Sequence, residues 1–185
     1  KSLEALCSAV TGKFSRVDVM LNAAGRTKKA PSLELSEADW DAVLDCNLKG
    51  SFLACQVFGR QMAAQQKGKI INIASLGAFV SLHEAVPYCV SKSGVAMLTR
   101  CLASEWATKG VNVNAISPGY FITPLSAPMM QIPERRERVL AHTPMKRFGD
   151  VEELKGAAIY LASDASDFVT GEILMVDGGF LALGV

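Results

Sequence analysis

Short apolar runs ending in turn residues alternate with longer stretches of helical spacing, and this alternation constrains the fold more than any other feature. Val17-Asp18-Val19-Met20-Leu21 closes on Asn22-Ala23-Ala24-Gly25, and Lys69–Ala74 (KIINIA) runs into Ser75. Val111–Ser117 (VNVNAIS) stops at Pro118-Gly119, and Glu172–Val176 (EILMV) at Asp177-Gly178-Gly179. Short runs rich in Val and Ile, bounded by turn residues, suit strands covered on both faces. The segments between them read as helices. Leu3, Leu6, Val10 and Phe14 mark an apolar stripe over residues 1–14, and Ser36-Glu37-Ala38-Asp39 caps a long helix reaching about Gln66. A third helix runs from Pro87 to about Lys109, and Asp150-Val151-Glu152-Glu153 opens a fourth that ends near Leu161. Residues 120–148 hold several Pro and Met residues and the basic group Arg135, Arg136 and Arg138, and are expected to form short helices in an insertion. Strands alternating with helices predict an α/β fold: a doubly wound parallel sheet in three layers, as one domain over residues 1–185.

Composition narrows the classes. Half of the 185 residues are apolar, which suits a sheet buried on both sides together with a contact between copies of the chain. A formal charge of +1 gives no bulk attraction for nucleic acid. No apolar run reaches the roughly 18–20 residues of a membrane span. The five cysteines (Cys7, Cys46, Cys55, Cys89, Cys101) are odd in number and contain no CxxC pair, so they read as reduced, mostly buried thiols of a cytoplasmic protein. With only His83 and His142 as histidines, no His-rich zinc site is available and no metal is expected.

The segment with chemical content is Ser75 followed by Tyr88-Cys89-Val90-Ser91-Lys92. Tyr and Lys four apart share a helix face. A phenol of ordinary pKa near 10 needs a neighbouring cation to exchange a proton near neutral pH, and an ammonium one turn away offers that. Ser75 follows a strand, at the carboxyl edge where open α/β sheets hold ligands. The pair alone is a common surface arrangement; the conjunction is informative. Ser75, Tyr88 and Lys92 stand in order with the strand-closing Asn22-Ala23-Ala24-Gly25, with Asn47 inside the long helix, and with Pro118-Gly119 followed by Thr123.

Together these residues resemble the short-chain dehydrogenase/reductase family, over the whole chain. The resemblance implies a Rossmann-type fold, NAD or NADP as cofactor, and hydride transfer to or from a secondary alcohol or ketone. It implies Tyr88 as general acid/base, Lys92 lowering the Tyr88 pKa and binding the nicotinamide ribose, and Ser75 orienting the substrate. Asn47 would hold a water linking Lys92 to solvent, unless its side chain only bonds its own turn. Asn22, Ala23 and Gly25 would line the cofactor, as would Pro118, Gly119 and Thr123, with Ile116 and Ser117 supplying backbone there. His83 and Tyr120 are candidates for the substrate mouth, although His83 also reads as an exposed loop residue. Arg135, Arg136 and Arg138 read as a solvated helix face, and Asp177-Gly178-Gly179 as a structural turn. The segments Pro118-Gly119-Tyr120-Phe121 and Val176–Leu181 look most like the branch acting on sugar acids and polyols, similar to gluconate 5-dehydrogenase. A 3-oxoacyl-thioester reductase is the rival, and a cofactor sensor or scaffold without turnover is the alternative of another class. The resemblance also implies a homodimer or homotetramer built on the helices that begin near Ser36 and Pro87, with Cys101, Leu102 and Trp106 on or beneath that contact.

One part of the family pattern is missing: no GxxxGxG or GxGxxG loop occurs, and neither does the residue that selects NAD or NADP. The chain is therefore expected to be a piece of a longer polypeptide, about the carboxyl-terminal three quarters of the domain. Without a neighbour, the Val17–Leu21 strand would be an exposed apolar edge.

Overall fold

The computed structural model describes residues 2–124 and 126–183. Four strands form one sheet in the order β1 (Val19–Asn22), β2 (Gly68–Ile73), β3 (Val111–Pro118), β4 (Ile173–Val176), and every neighbouring pair is parallel. Helix α1 (Ser2–Phe14) precedes β1. Between β1 and β2 run α2 (Glu37–Leu44), a π-helical turn over Asp45–Lys49, and α3 (Gly50–Gln65). Helix α4 (Val86–Trp106) joins β2 to β3. The last connection holds α5 (Ala127–Met130), α6 (Pro133–His142) and α7 (Lys155–Ala162). This is the expected Rossmann-like α/β arrangement.

Residue alternation along the strands sorts the core into two faces. On one, Met20, Ile70, Val111 and Val113 pack against Ala54, Cys55, Phe58 and Met62 of α3 and Leu102 and Ala103 of α4. On the other, Ile71 and Ile116 pack against Leu161 of α7. The second face is covered over β2 to β4 but not over β1, where Val19 and Leu21 remain exposed. Cover on both faces thus holds over β2 to β4 among the described residues. A buried chain of side chains crosses the first face: Asn22 Nδ2 donates to Asn72 Oδ1 (2.8 Å), and Asn72 Nδ2 to Thr99 Oγ1 (3.0 Å), tying β1 and β2 to α4.

Several local expectations need correction. The core-facing stripe of α1 is Leu3, Cys7 and Val10, while Leu6 and Phe14 face solvent, because both sets have helical spacing and the position of α3 opposite decides which face is covered. The long helix is capped as expected, with the Ser36 hydroxyl accepting from the Asp39 amide, but it is interrupted by the π-helical turn at Asn47. The Asp150 box is present, although its first turn is 3-10. Only Cys55 of the five cysteines is buried, and Cys101 is exposed. Leu102 belongs to the core, and Trp106 packs there too, lying over Gly59, where a Cβ would come within 2.5 Å of its ring. Arg135 makes a 3.5 Å ion pair with Glu84 across to the loop before α4.

Candidate active site

The carboxyl ends of β2 and β3 and the first turns of α4 build the site. Ser75 follows β2 in extended conformation and caps a 3-10 turn, Leu76–Ala78, its hydroxyl accepting from the Gly77 amide at 3.1 Å. Pro87 sits in the first turn of α4, where its missing N–H costs nothing, so Tyr88 and Lys92 leave the helix start on the face turned to the sheet. The Tyr88 phenol hydrogen-bonds with Ser75. The Lys92 ammonium donates to the Ile73 carbonyl at 2.7 Å and lies 5.8 Å from the centre of the Tyr88 ring. Ser75, Tyr88 and Lys92 are thus brought together at the sheet edge.

The electrostatics differ from the expectation in one respect. Lys92 was expected to lower the Tyr88 pKa; instead the phenol lies above its ordinary value. Burial is the largest cause, the Ser75 hydrogen bond pulls the other way, and nearby Cys89 adds a further rise. Lys92 does not reverse this because its own charge is disfavoured: burial pushes its pKa down to about 8, opposed only by Cys46. With this ordering Tyr88 stays protonated at neutral pH.

Asn47 is fully buried in the π-helical turn, and its side chain does not bond its own turn. Its Oδ1 accepts from the Arg26 amide (2.8 Å), and its Nδ2 donates to the Arg26 carbonyl (2.9 Å) and to Ser91 Oγ (2.9 Å). The Asn47 carbonyl accepts from the Ser51 hydroxyl at 2.7 Å. The loop after β1 is thereby drawn over Lys92: a Cβ on Gly25 would stand 3.5 Å from Asn47 Oδ1 and 3.6 Å from Lys92 Nζ. Asn22 lies at the root of this loop in the buried amide chain, followed by Ala23.

At the end of β3, the Gly119 amide donates to the Val176 carbonyl at 2.9 Å, and a Cβ on Gly119 would come within 2.6 Å of the Asp177 Cα. Only glycine allows Pro118-Gly119 to lie so close to the Asp177 turn. That turn holds itself: the Asp177 carboxylate accepts from the Gly179 and Leu181 amides, with Gly178 and Gly179 at positive φ. Thr123 lies in a turn with Ser126, their hydroxyls 3.2 Å apart. The buried Ser117 hydroxyl has no hydrogen-bond partner among the described residues.

The two substrate candidates separate. Tyr120 lines a cavity of about 400 Å³ with Thr143, Met145, Met175 and Asp177 and stacks at a tilt on Phe180 (5.7 Å); burial raises its pKa above the ordinary value, with smaller contributions from Cys89 and Tyr88. His83 instead lies in an open groove with Pro31, Leu33 and Glu84, its side chain 75% exposed. Sequence reasoning missed the Ile73 carbonyl, the Arg26 backbone and the Ser91 hydroxyl. The first two are backbone groups with no sequence signal, and Ser91 was visible only as a filler position of the Tyr–Lys motif.

This arrangement has close counterparts. A family model described as enoyl-(acyl carrier protein) reductase matches residues 1–181. The chain is 40% identical to a 2-dehydro-3-deoxy-D-gluconate 5-dehydrogenase of Pseudoalteromonas atlantica, covering 97% of this chain and 71% of that protein. It is 37% identical to an NAD-dependent glycerol dehydrogenase of Listeria innocua, over 97% of this chain and 70% of that one. The crystal structure of a gluconate 5-dehydrogenase from Burkholderia cenocepacia, in complex with NADP and tartrate, superposes with a TM-score of 0.96 at 37% identity, covering 98% of this chain and 71% of that one. With the parallel sheet, the Ser75, Tyr88 and Lys92 cluster and these relatives in agreement, the chain belongs to the short-chain dehydrogenase/reductase family of NAD(P)-dependent oxidoreductases.

Proposed function

We propose that the protein exchanges a hydride between NAD or NADP and a secondary alcohol or ketone on a sugar acid or polyol, with Tyr88 handling the proton. The observation that carries this reading is the Tyr88 phenol hydrogen-bonded to Ser75 with the Lys92 ammonium one turn behind. The substrate class is supported by the relatives, whose names specify a keto-deoxy sugar acid, gluconate and glycerol.

The residues present fit a nicotinamide nucleoside. Gly25 leaves bare backbone above Lys92, where a side chain would begin to fill the space, and Ser117 offers an unpartnered buried hydroxyl. Lys92 spends one donor on Ile73 and has two more for ribose hydroxyls. Pro118, Gly119 and Thr123 would flank the ring, and Asn22, Ala23 and Gly25 the remainder of the nucleotide. When bound, the nicotinamide supplies or accepts the hydride. Ser75 holds the substrate oxygen by hydrogen bonding, and Tyr88 passes its proton to that oxygen during carbonyl reduction or takes it back during alcohol oxidation. A phenol kept protonated by burial is in the correct state for reduction. Asn47 keeps the loop carrying Gly25 in place, and its carbonyl, which accepts from the Ser51 hydroxyl, would also hold a water on the path from Lys92 to solvent. Residues 120–148 are read as the segment covering the substrate, with Tyr120 facing it and His83 at the outer rim.

Exposed Phe52 and Leu53 on α3, with Val90 and Met97 on α4, support self-association through these helices as a dimer or tetramer. Five free thiols support work in the reducing cytoplasm. The described residues contain no helix long and apolar enough to cross a membrane. A thioester reductase remains the second reading, favoured by the acyl-carrier-protein description of the matching family model.

The test is Tyr88→Phe, assayed by nicotinamide absorbance with a panel of sugar acids, polyols and a 3-oxoacyl thioester. Turnover should fall at least about a hundredfold, as for a lost general acid/base. Full activity in that variant would refute the mechanism, and cofactor binding with no turnover on any substrate by the parent protein would favour a sensor.

A further inference from the structure

We propose that Ser91 is a positioning residue: through the Asn47 amide it holds the loop carrying Gly25 and Arg26 in register with the helix carrying Tyr88 and Lys92. The inference rests on the function proposed above, and the chain of hydrogen bonds that supports it is directional throughout. The Arg26 amide donates to Asn47 Oδ1 (2.8 Å), which fixes the orientation of the Asn47 side chain. Its two Nδ2 protons then go to the Arg26 carbonyl (2.9 Å) and to Ser91 Oγ (2.9 Å). Ser91 donates its own proton to the Tyr88 carbonyl (2.7 Å), so toward Asn47 it acts only as an acceptor. No member can reverse without breaking another.

Burial makes the arrangement consequential. Asn47 and Ser91 are both fully buried, so an Asn47 proton that lost Ser91 would have no exchange partner in solvent. A serine bonded only to the carbonyl of its own preceding turn would leave Asn47 unaffected; here the same hydroxyl serves both. The loop it restrains lies directly over the reaction centre, since a Cβ on Gly25 would stand 3.6 Å from Lys92 Nζ and 3.5 Å from Asn47 Oδ1. Ser91 therefore couples the floor of the nucleoside site to the catalytic helix without touching substrate or cofactor.

The experiment compares the intact protein with Ser91→Ala, Asn47→Ala and the double variant. Hydrogen exchange at the Arg26 amide is read without cofactor, and KM for NAD(P) and kcat with it. In Ser91→Ala, the Arg26 amide should exchange about tenfold faster, because the buried Asn47 side chain that accepts from it loses one partner, and the cofactor KM should rise by about the same factor while kcat changes less than about threefold. The double variant should be no worse than Asn47→Ala, because Ser91 acts through Asn47. A lower melting temperature with unchanged Arg26 exchange would overturn the proposal and leave Ser91 a packing residue, as would additive losses in the double variant. Because Arg26 exchange is measured without turnover, this test stands apart from Tyr88→Phe: activity surviving in Tyr88→Phe rejects the reaction assigned above, whereas unchanged Arg26 exchange rejects the coupling.

Discussion

Replacing Lys92 with methionine should make the cofactor-free protein more stable at neutral pH while it abolishes activity. The side chain is 5% exposed, and burial lowers its pKa from 10.5 to about 8. At about 1.4 kcal/mol per pH unit, holding that charge in the folded state at pH 7 costs about 3 kcal/mol. Methionine fills a similar volume without the charge but leaves the Ile73 carbonyl without the 2.7 Å bond, a loss of about 1–2 kcal/mol. The net gain should be about 1–2 kcal/mol. The pH dependence tests the cause. Folding favours the neutral amine, so below pH 8 the penalty is fully present, and it is relieved as pH rises from 8 toward 10.5, where the unfolded chain still binds the proton that the native state has released. Urea unfolding at pH 7 and pH 10 should therefore show the variant ahead at pH 7 and level with or behind the parent at pH 10. A variant less stable than the parent at pH 7, or an advantage that is the same at both values, would refute the reasoning.

Gly119→Ala should lower stability by about 2 kcal/mol, because its Cβ would meet the Asp177 backbone at 2.6 Å and neither chain end can yield; an unchanged denaturation midpoint would contradict the close approach. Gly12→Ala is the opposite case: nothing lies within 4 Å of its Cβ in α1, so helix propensity should add up to about 1 kcal/mol, read in the same assay. Glu153 is pushed down to about 2 by Arg147 and by the Asp150 amide. Its contribution should be complete above pH 4.5 and disappear as pH falls toward 2, so the melting-temperature difference between the parent and Glu153→Gln should shrink across that window. A difference independent of pH there would place the effect elsewhere.

The order of elements was legible because strand and helix signals in this chain are local. KIINIA and VNVNAIS carry their strand character in their own residues, and Ser36 and Asp150 carry their caps within four positions. The cluster of Ser75, Tyr88 and Lys92 was legible for a related reason, since one helical turn and one strand end are enough to bring these three together. What depends on distant packing was not legible. The stripe of α1 shifted to Cys7 because the exposure of a helix face is decided by what lies opposite it. Four of five cysteines proved at least partly accessible for the same reason.

By itself, the sequence determined the α/β class, the parallel connectivity and which side chains could carry proton chemistry, all consequences of residue type and short spacing. Only the tertiary structure decided how those groups ionise and who holds them. The burial that raises Tyr88 against its Ser75 hydrogen bond and that lowers Lys92, and the link from Arg26 through Asn47 and Ser91 to Tyr88, join segments far apart in the chain. Desolvation and buried hydrogen bonds depend on every atom packed around a group, and no local pattern of residues encodes that.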